Sequence, residues 1–162
     1  MSRRHDLAQE IRALSAEEAV RALTVLVEDR GLLASAEDMP VTDEELRDAL
    51  TTAAAAGEVP APDGSSADEG DVARAALQHA AARPDLASVA GEAVEYARSP
   101  MDRLDPVSVS VGALVVTLLQ TEVVVKRDEQ GRWRLTVHKR ALRDAALGRL
   151  LTALLAHLTN GK

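Results

Sequence analysis

The sequence predicts an α+β fold that is mostly α, with an N-terminal helical bundle followed by a helix–β-hairpin–helix unit. Three observations predict it. Apolar residues recur at helical spacing through most of the first hundred residues, two strand-like segments flank a turn at 128–131, and leucines at helical spacing close the chain. The 162 residues suffice to bury a core in one domain or in two small subdomains.

Two helices are predicted at the start of the chain. Residues 3–14 place apolar side chains at spacings of four and three, which is typical of one helix face. Ser15 and Glu18 have the spacing of a capping box, which opens a second helix that continues to residue 30. Gly31 follows, and glycine is suited to the left-handed conformation that ends many helices.

A third helix is predicted from a second capping box. Thr42 stands three residues before Glu45, and the helix is expected to end near Gly57. Residues 58–70 then contain two prolines, two glycines, two serines and four acidic residues. This composition is typical of a connecting segment, so we expect a flexible linker there.

A pair of helices is predicted over residues 71–100. Asp71 is expected to cap the first helix, which runs to about residue 82, and Pro84 interrupts the pattern. The second helix is expected over 85–98, because the Ser-Pro sequence that follows stops it.

The pattern of residues 106–120 fits two structures. Val107 and Val109 alternate with serines, as in a strand, whereas the apolar residues from Val111 to Leu119 follow helical spacing. An Asp-Pro pair before this segment suits an N-cap and a first helical position. We favour a helix that is buried on most sides and keep a strand as the alternative.

A β-hairpin is predicted from segments 121–127 and 132–140. The turn Asp128-Glu129-Gln130-Gly131 supplies a glycine where positive φ is tolerated. Apolar and polar residues alternate in the second strand, so its two faces should meet core and solvent. The residues expected to pack inward or to pair at a strand edge are Val123, Val125, Trp133, Leu135 and Val137, and those expected to contact a partner are Arg132, Arg134 and His138.

An isolated two-stranded hairpin is marginally stable, so its Trp133 face must pack on helices or pair with the edge of another chain. A last amphipathic helix is predicted over 140–158. The predicted organisation is N-terminal helices at 1–57, a flexible linker at 58–70, a helical pair at 71–100 and the helix–β-hairpin–helix unit at 101–162.

Composition and motifs argue against catalysis. There are no cysteines, which excludes disulfides and thiolate metal sites, and the four histidines lie on different predicted elements, where we expect exposed or boundary positions. The sequence has no phosphate-binding loop and no nucleophile elbow. We therefore predict that the protein is not an enzyme, with no catalytic residues, no cofactor and no metal site.

The predicted location is the bacterial cytoplasm. The longest apolar stretch, at 111–119, is roughly half of the ~20 residues that a spanning helix needs. Two arginines near the N-terminus are not followed by the apolar region of a signal peptide. We expect a soluble protein without a membrane partner.

Charge is distributed unevenly along the chain. Residues 1–100 hold 20 acidic and 9 basic side chains, whereas residues 101–162 hold 6 and 10. This polarity can orient the two parts of the chain, or subunits, against each other, but we favour the simpler interpretation that the acidic helical surfaces are solvated. Basic residues also follow both strands of the predicted hairpin, and such a ribbon can contact phosphates. They include Lys126 and Arg127 on one strand and Arg132 and Arg134 on the other.

The segment 105–158 resembles the C-terminal part of small actinobacterial proteins. It is more loosely similar to the effector-associated constant components of bacterial conflict systems, in which an apolar helix precedes a two-stranded hairpin whose turn carries Asp and Gly. The resemblance implies an accessory or adaptor role beside an NTPase, a protease or another effector, without catalysis. The residues behind it are Val111-Gly112-Ala113-Leu114, Leu119-Gln120-Thr121-Glu122, Gly131-Arg132-Trp133 and the closing leucine-rich helix.

The leading hypothesis is a non-catalytic accessory or adaptor protein, in a bacterial conflict (defence) system, that self-associates or docks a protein partner. The hairpin edge and the leucine-rich final helix are expected to carry that contact. We expect a homo-oligomer, because a core of small aliphatic residues has little area to bury per residue. The alternative is a nucleic-acid-binding regulator that uses the basic ribbon.

Overall fold

The computed structural model describes residues 3–32, 42–55, 68–98, 111–119, 123–127, 129–137 and 145–160. These ranges contain seven helices and one two-stranded antiparallel sheet, which confirms the predicted α+β, mostly α, fold. In chain order the elements are α1 Arg3–Arg12, α2 Ala16–Asp29, α3 Asp43–Ala55, α4 Glu69–Ala81, α5 Ala87–Arg98, α6 Val111–Leu118, β1 Val123–Arg127, β2 Trp133–Val137 and α7 Ala145–Asn160.

Both ends of α2 form as the sequence predicts. The Ser15 hydroxyl accepts a bond of 3.1 Å from the Glu18 amide, and the Glu18 carboxylate accepts one of 2.9 Å from the Ser15 amide. At the other end Gly31 has φ +72°, and the Leu32 amide donates back to the Val27 carbonyl. This geometry satisfies backbone groups that the helix would otherwise leave without partners.

The N-terminus of α4 corrects one prediction. The cap is Asp68, not Asp71, because the Asp68 carboxylate accepts a bond of 2.8 Å from the Asp71 amide. Asp71 occupies the third helical position, and its carboxylate accepts a hydrogen bond of 3.1 Å from the Asp68 amide. Residues 68–70, which the composition placed in the linker, therefore belong to the helix and its cap, because a short Asp serves at either position of the capping box.

Helix α4 is central to the bundle. It contacts α1, α2, α5, α6 and α7, and half of its buried residues are alanine. Such small side chains let helices approach closely, which replaces the area that larger residues would bury. At Gly70 the approach is closest, because an added Cβ would lie 2.6 Å from the Cα and Cβ atoms of Ala16 at the start of α2.

Long polar side chains tie the helices together through backbone carbonyls. Arg74 in α4 donates to the Leu14 carbonyl over 2.9 Å, and Gln78 donates to the Ala8 carbonyl over the same distance. Arg21 in α2 donates over 3.0 Å to the carbonyl of Ala97, near the end of α5. These bonds fix how α1 and α5 lie against the two central helices.

The ambiguous segment is helical where it is described. Helix α6 covers Val111–Leu118, and nearly all of its side chains are buried, as expected for a helix surrounded by neighbours. The alternating valines before it, at 107 and 109, lie outside the described residues. The described part of this segment is therefore a helix, as the spacing of its apolar residues predicted, and not a strand.

The C-terminal elements share a core with the N-terminal helices. Helix α7 packs on α3 and α4, and β2 packs on α3. Leu50 of α3, Leu77 of α4 and Leu154 of α7 are all fully buried in the same cluster. Among the described helices none is long and apolar enough to cross a membrane.

Candidate interaction surface

The hairpin pairs five residues from each strand in antiparallel register. The pairs run from Val123 opposite Val137 to Arg127 opposite Trp133, with Val125 opposite Leu135 at the centre. The connection therefore spans residues 128–132, one residue longer than the predicted turn. Gly131 has φ +80°, which confirms the predicted role of glycine in this turn.

The helix-facing side of β2 belongs to the core of the same chain. Leu135 is 4% exposed and lies in the main hydrophobic cluster, and Trp133 is half-buried and packs against that cluster. Their exposed neighbours Arg132, Arg134 and Thr136 confirm the predicted alternation. The hairpin thus meets its need for an apolar neighbour, at least in part, on its own helix α3.

Arg127 does not belong to the basic row in which the sequence placed it. The extra residue in the turn sets Arg127 opposite Trp133, and its guanidinium lies over the indole ring, 5.0 Å from the ring centroid. The positive charge is attracted to the face of the aromatic ring, an interaction worth about 0.5–1 kcal/mol at an exposed site. Arg127 therefore covers Trp133 on the helix-facing side of the hairpin.

The first turn of α3 lies beside this pair. The Thr42 hydroxyl and the Glu45 carboxylate form the predicted capping box, with bonds of 3.1 and 3.0 Å to the Glu45 and Thr42 amides. The pKa of Glu45 is lowered, first by the bond from the Thr42 amide and less by the Trp133 indole N–H and the charge of Arg127. The indole Nε1 is buried and meets the distance and angle requirements of a hydrogen bond with none of the described residues.

The opposite face of the hairpin is cationic. Lys126 and Arg134 are directly opposite each other in the register, and both are exposed. Arg132 is exposed in the turn beside them. Two cationic side chains therefore lie side by side on this face of the hairpin.

The remaining predicted site residues are placed less fully. Val123, Val125 and Val137 lie in the described strands, where the backbone register alone locates them. His138 lies outside the described residues. The structure thus brings Trp133 and Leu135 together against α3 and sets Arg134 on the opposite face.

Two residues near Trp133 were missed from the sequence. Arg127 was assigned to the basic row, and Glu45 was assigned only to a helix cap. The turn length was the signal for Arg127, because a connection of five residues instead of four moves it to the Trp133 side. Glu45 lies near Trp133 because α3 packs on β2, and no local sequence pattern reports the packing of two elements so far apart in sequence.

The histidines need one correction. His79 was expected at an exposed or boundary position, but it is 1% exposed within α4. It is buried because α4 is surrounded by five other helices, a property that its alanine-rich sequence does not reveal. Within the described part of the chain no three His, Asp or Glu side chains are grouped so that they could hold a metal ion.

No protein-family model, curated protein or solved structure matches this chain.

Proposed function

We propose that this chain is a non-catalytic accessory protein that contacts a protein partner or a second copy of itself through the hairpin. One observation carries the proposal: the hairpin packs its Trp133 side on its own helix and exposes a cationic face, and no other described strand pairs with its outer edges. Exposed strand edges are sites at which other chains add.

The proposal moves the contact surface away from Trp133. Leu135 and Trp133 stabilise the hairpin on α3, so they hold the surface in place. Lys126, Arg132 and Arg134 are exposed, so a partner reaches them first. An acidic partner surface would be electrostatically complementary to this cationic face.

The resemblance of the C-terminal segment to components of conflict systems supports an adaptor role within this proposal. An adaptor needs a rigid body and a separate contact surface. The shared core of α2, α3, α4 and α7 supplies the first, and the hairpin supplies the second. The effector that such an adaptor would serve is a question for the experiment below.

Site-specific photo-crosslinking tests this function. A photoreactive side chain at Lys126 should form covalent adducts with another protein, or with a second copy, in cells that express the chain naturally. The matched control is Ser88, which is exposed on α5, away from the hairpin in sequence and element. Equal labelling from both positions, or no adduct from Lys126, would contradict the proposal.

Nucleic-acid binding is the second candidate, and the cationic face favours it. Three exposed cations, Lys126, Arg132 and Arg134, lie on or beside one face and can contact phosphates. The Trp133 ring is covered by Arg127 on one side and is half-buried, so it is poorly placed to stack on a base. Salt-dependent binding to duplex or single strands, lost in the double variant Arg132→Ala with Arg134→Ala, would favour this candidate; no binding at low salt would eliminate it.

A further inference from the structure

In the described part of the chain, strand β1 packs chiefly on β2. Among the described elements, β2 alone makes more than marginal contact with β1, whereas β2 also packs on α3. No described helix therefore packs closely on β1. In any antiparallel pair about half of a strand's N–H and C=O groups point away from its partner, so the outer edge of β1 presents hydrogen-bonding groups that no described strand takes.

The sequence of β1 is suited to pairing. It reads Val-Val-Val-Lys-Arg, with three β-branched residues and neither proline nor glycine. Proteins usually protect an exposed edge with proline, a bulge or an inward-pointing charge. The valine part of β1 carries none of these, and its charges come only at the last two residues.

We propose that the outer edge of β1 pairs antiparallel with the β1 edge of a second copy of this chain. The product is a four-stranded sheet in the order β2, β1, β1 and β2, related by a two-fold axis at Val124. The inference rests on the proposed function and names its partner. A two-fold arrangement uses the same edge on both subunits, so it closes as a dimer and leaves no further β1 edge open.

The order of charged residues around β1 favours a second copy of this chain as the partner, paired in the antiparallel direction. In the sequence Glu122 precedes the three valines and Lys126 follows them, so the segment is complementary to itself when reversed. An antiparallel pair centred on Val124 sets each Lys126 opposite position 122 of the other copy. A parallel pair in register would instead align like charges, which is unfavourable.

Single-cysteine variants test the pairing directly, because the chain has no cysteine of its own. In a two-fold pair centred on Val124, the two copies of Val124→Cys lie about 4.5–5.5 Å apart between Cα atoms, within the range of a disulfide. The matched control is Thr136→Cys, which is directly opposite Val124 on β2. In the four-stranded sheet the two copies of position 136 are three strand spacings apart, about 14 Å, which a disulfide cannot span.

Under mild oxidation the account expects Val124→Cys to form a disulfide dimer while Thr136→Cys stays monomeric. Equal cross-linking of both variants, or none of either, would overturn the inference. Circular dichroism melting of both reduced variants checks that each is folded. A variant that fails this check is replaced by Lys126→Cys paired with Glu122→Cys, mixed in equal amounts, where the mixed dimer is expected and its absence overturns the pairing.

A charge reversal supplies a second, independent readout. Lys126→Glu should raise the dimer dissociation constant about tenfold, because each of the two ends then sets like charges opposite each other. Adding Glu122→Lys to that variant should restore dimerisation by exchanging the signs. If Lys126→Glu weakens dimerisation and Glu122→Lys does not restore it, the proposed register is wrong. If Lys126→Glu does not weaken dimerisation at all, the β1 edge is not the contact between copies.

The outcomes for the two proposals are separable. If the cysteine pair fails while a photoreactive group at Lys126 still labels a different protein, the second-copy pairing is wrong and the interaction function stands. If neither experiment gives an adduct, both are wrong.

Discussion

Gly70 carries the tightest steric constraint among single residues. A Cβ at this position would meet Ala16 at 2.6 Å, and the atoms it meets belong to the backbone and Cβ of a helix start, which cannot swing aside. Gly91, on α5, has nothing within 4 Å of the same built atom. Comparing substitutions at the two glycines therefore distinguishes the effect of steric clash from the effect of helix propensity.

Replacing each glycine with alanine should have opposite effects. Gly70→Ala should lower the free energy of unfolding by about 1–3 kcal/mol, the range found for overpacked sites. Gly91→Ala should raise it by about 0.5–1 kcal/mol, because alanine loses less backbone entropy in a helix. Urea unfolding followed by circular dichroism measures both, and a stabilised Gly70→Ala would contradict the close approach of α2 and α4.

Glu45 and Glu18 are matched capping glutamates in different surroundings. The pKa of each is lowered from its ordinary value of 4.5. The main cause is a hydrogen bond from a backbone N–H, donated by Thr42 to Glu45 and by Ser15 to Glu18. A carboxylate whose folded pKa is lowered stabilises the fold fully above its unfolded pKa, and that contribution is lost as the pH falls through the lowered value. Trp133 lies beside Glu45, whereas Glu18 lies at the start of α2.

Acid titration of Trp133 fluorescence should therefore report Glu45. The chain has a single tryptophan, so its emission comes from the hairpin–α3 contact alone. We expect a change in emission below pH 4.5, at a pH where far-UV circular dichroism still shows folded protein. Glu45→Gln should remove this change and Glu18→Gln should retain it; identical titrations of the two variants would show that Glu45 does not reach the indole.

At the scale of elements, the stability of the protein depends on the contact between the hairpin and α3. Leu135 faces the core and Thr136, the next residue, faces solvent. Two adjacent residues of one strand therefore compare the helix-facing side of the hairpin with its outer side.

Leu135→Ala should destabilise the protein by about 2–4 kcal/mol, because it removes buried methyl groups and leaves a cavity. Thr136→Ala should change stability by less than about 0.5 kcal/mol, as for most exposed positions. Thermal or urea unfolding of the two variants gives the comparison. Similar small effects at both positions would mean that the hairpin does not dock on α3.

Elements with local signals could be predicted from the sequence, and contacts between distant elements could not. The capping boxes at Ser15 and Thr42, the positive φ of Gly131 and the alternation of β2 are set by side chains within a few residues, and all were predicted correctly. The exact cap of α4 was not, because aspartate is favoured both as the N-cap residue and in the first turn, so composition alone does not distinguish Asp68 from Asp71. The burial of His79 and the Arg127–Trp133–Glu45 contact depend on how elements pack, which one sequence does not encode locally.

At the scale of the whole molecule, small side chains and charge polarity work together. A core of alanine, valine and leucine lets five helices surround α4 and leaves the hairpin at one side, held through β2. The first hundred residues carry most of the acidic side chains, and the hairpin carries exposed basic ones. The hairpin therefore offers a partner a cationic face and the edge of a strand, on a protein that is otherwise acidic.

Hydrogen exchange at two protein concentrations tests this account most directly. It predicts that amides of β1 that point away from β2 exchange fast in dilute protein and become protected as the concentration rises, while β2 amides bonded to β1 exchange equally at both concentrations. Protection of β1 that does not change with concentration, or that changes equally in both strands, would contradict the claim that the β1 edge is the contact surface between copies.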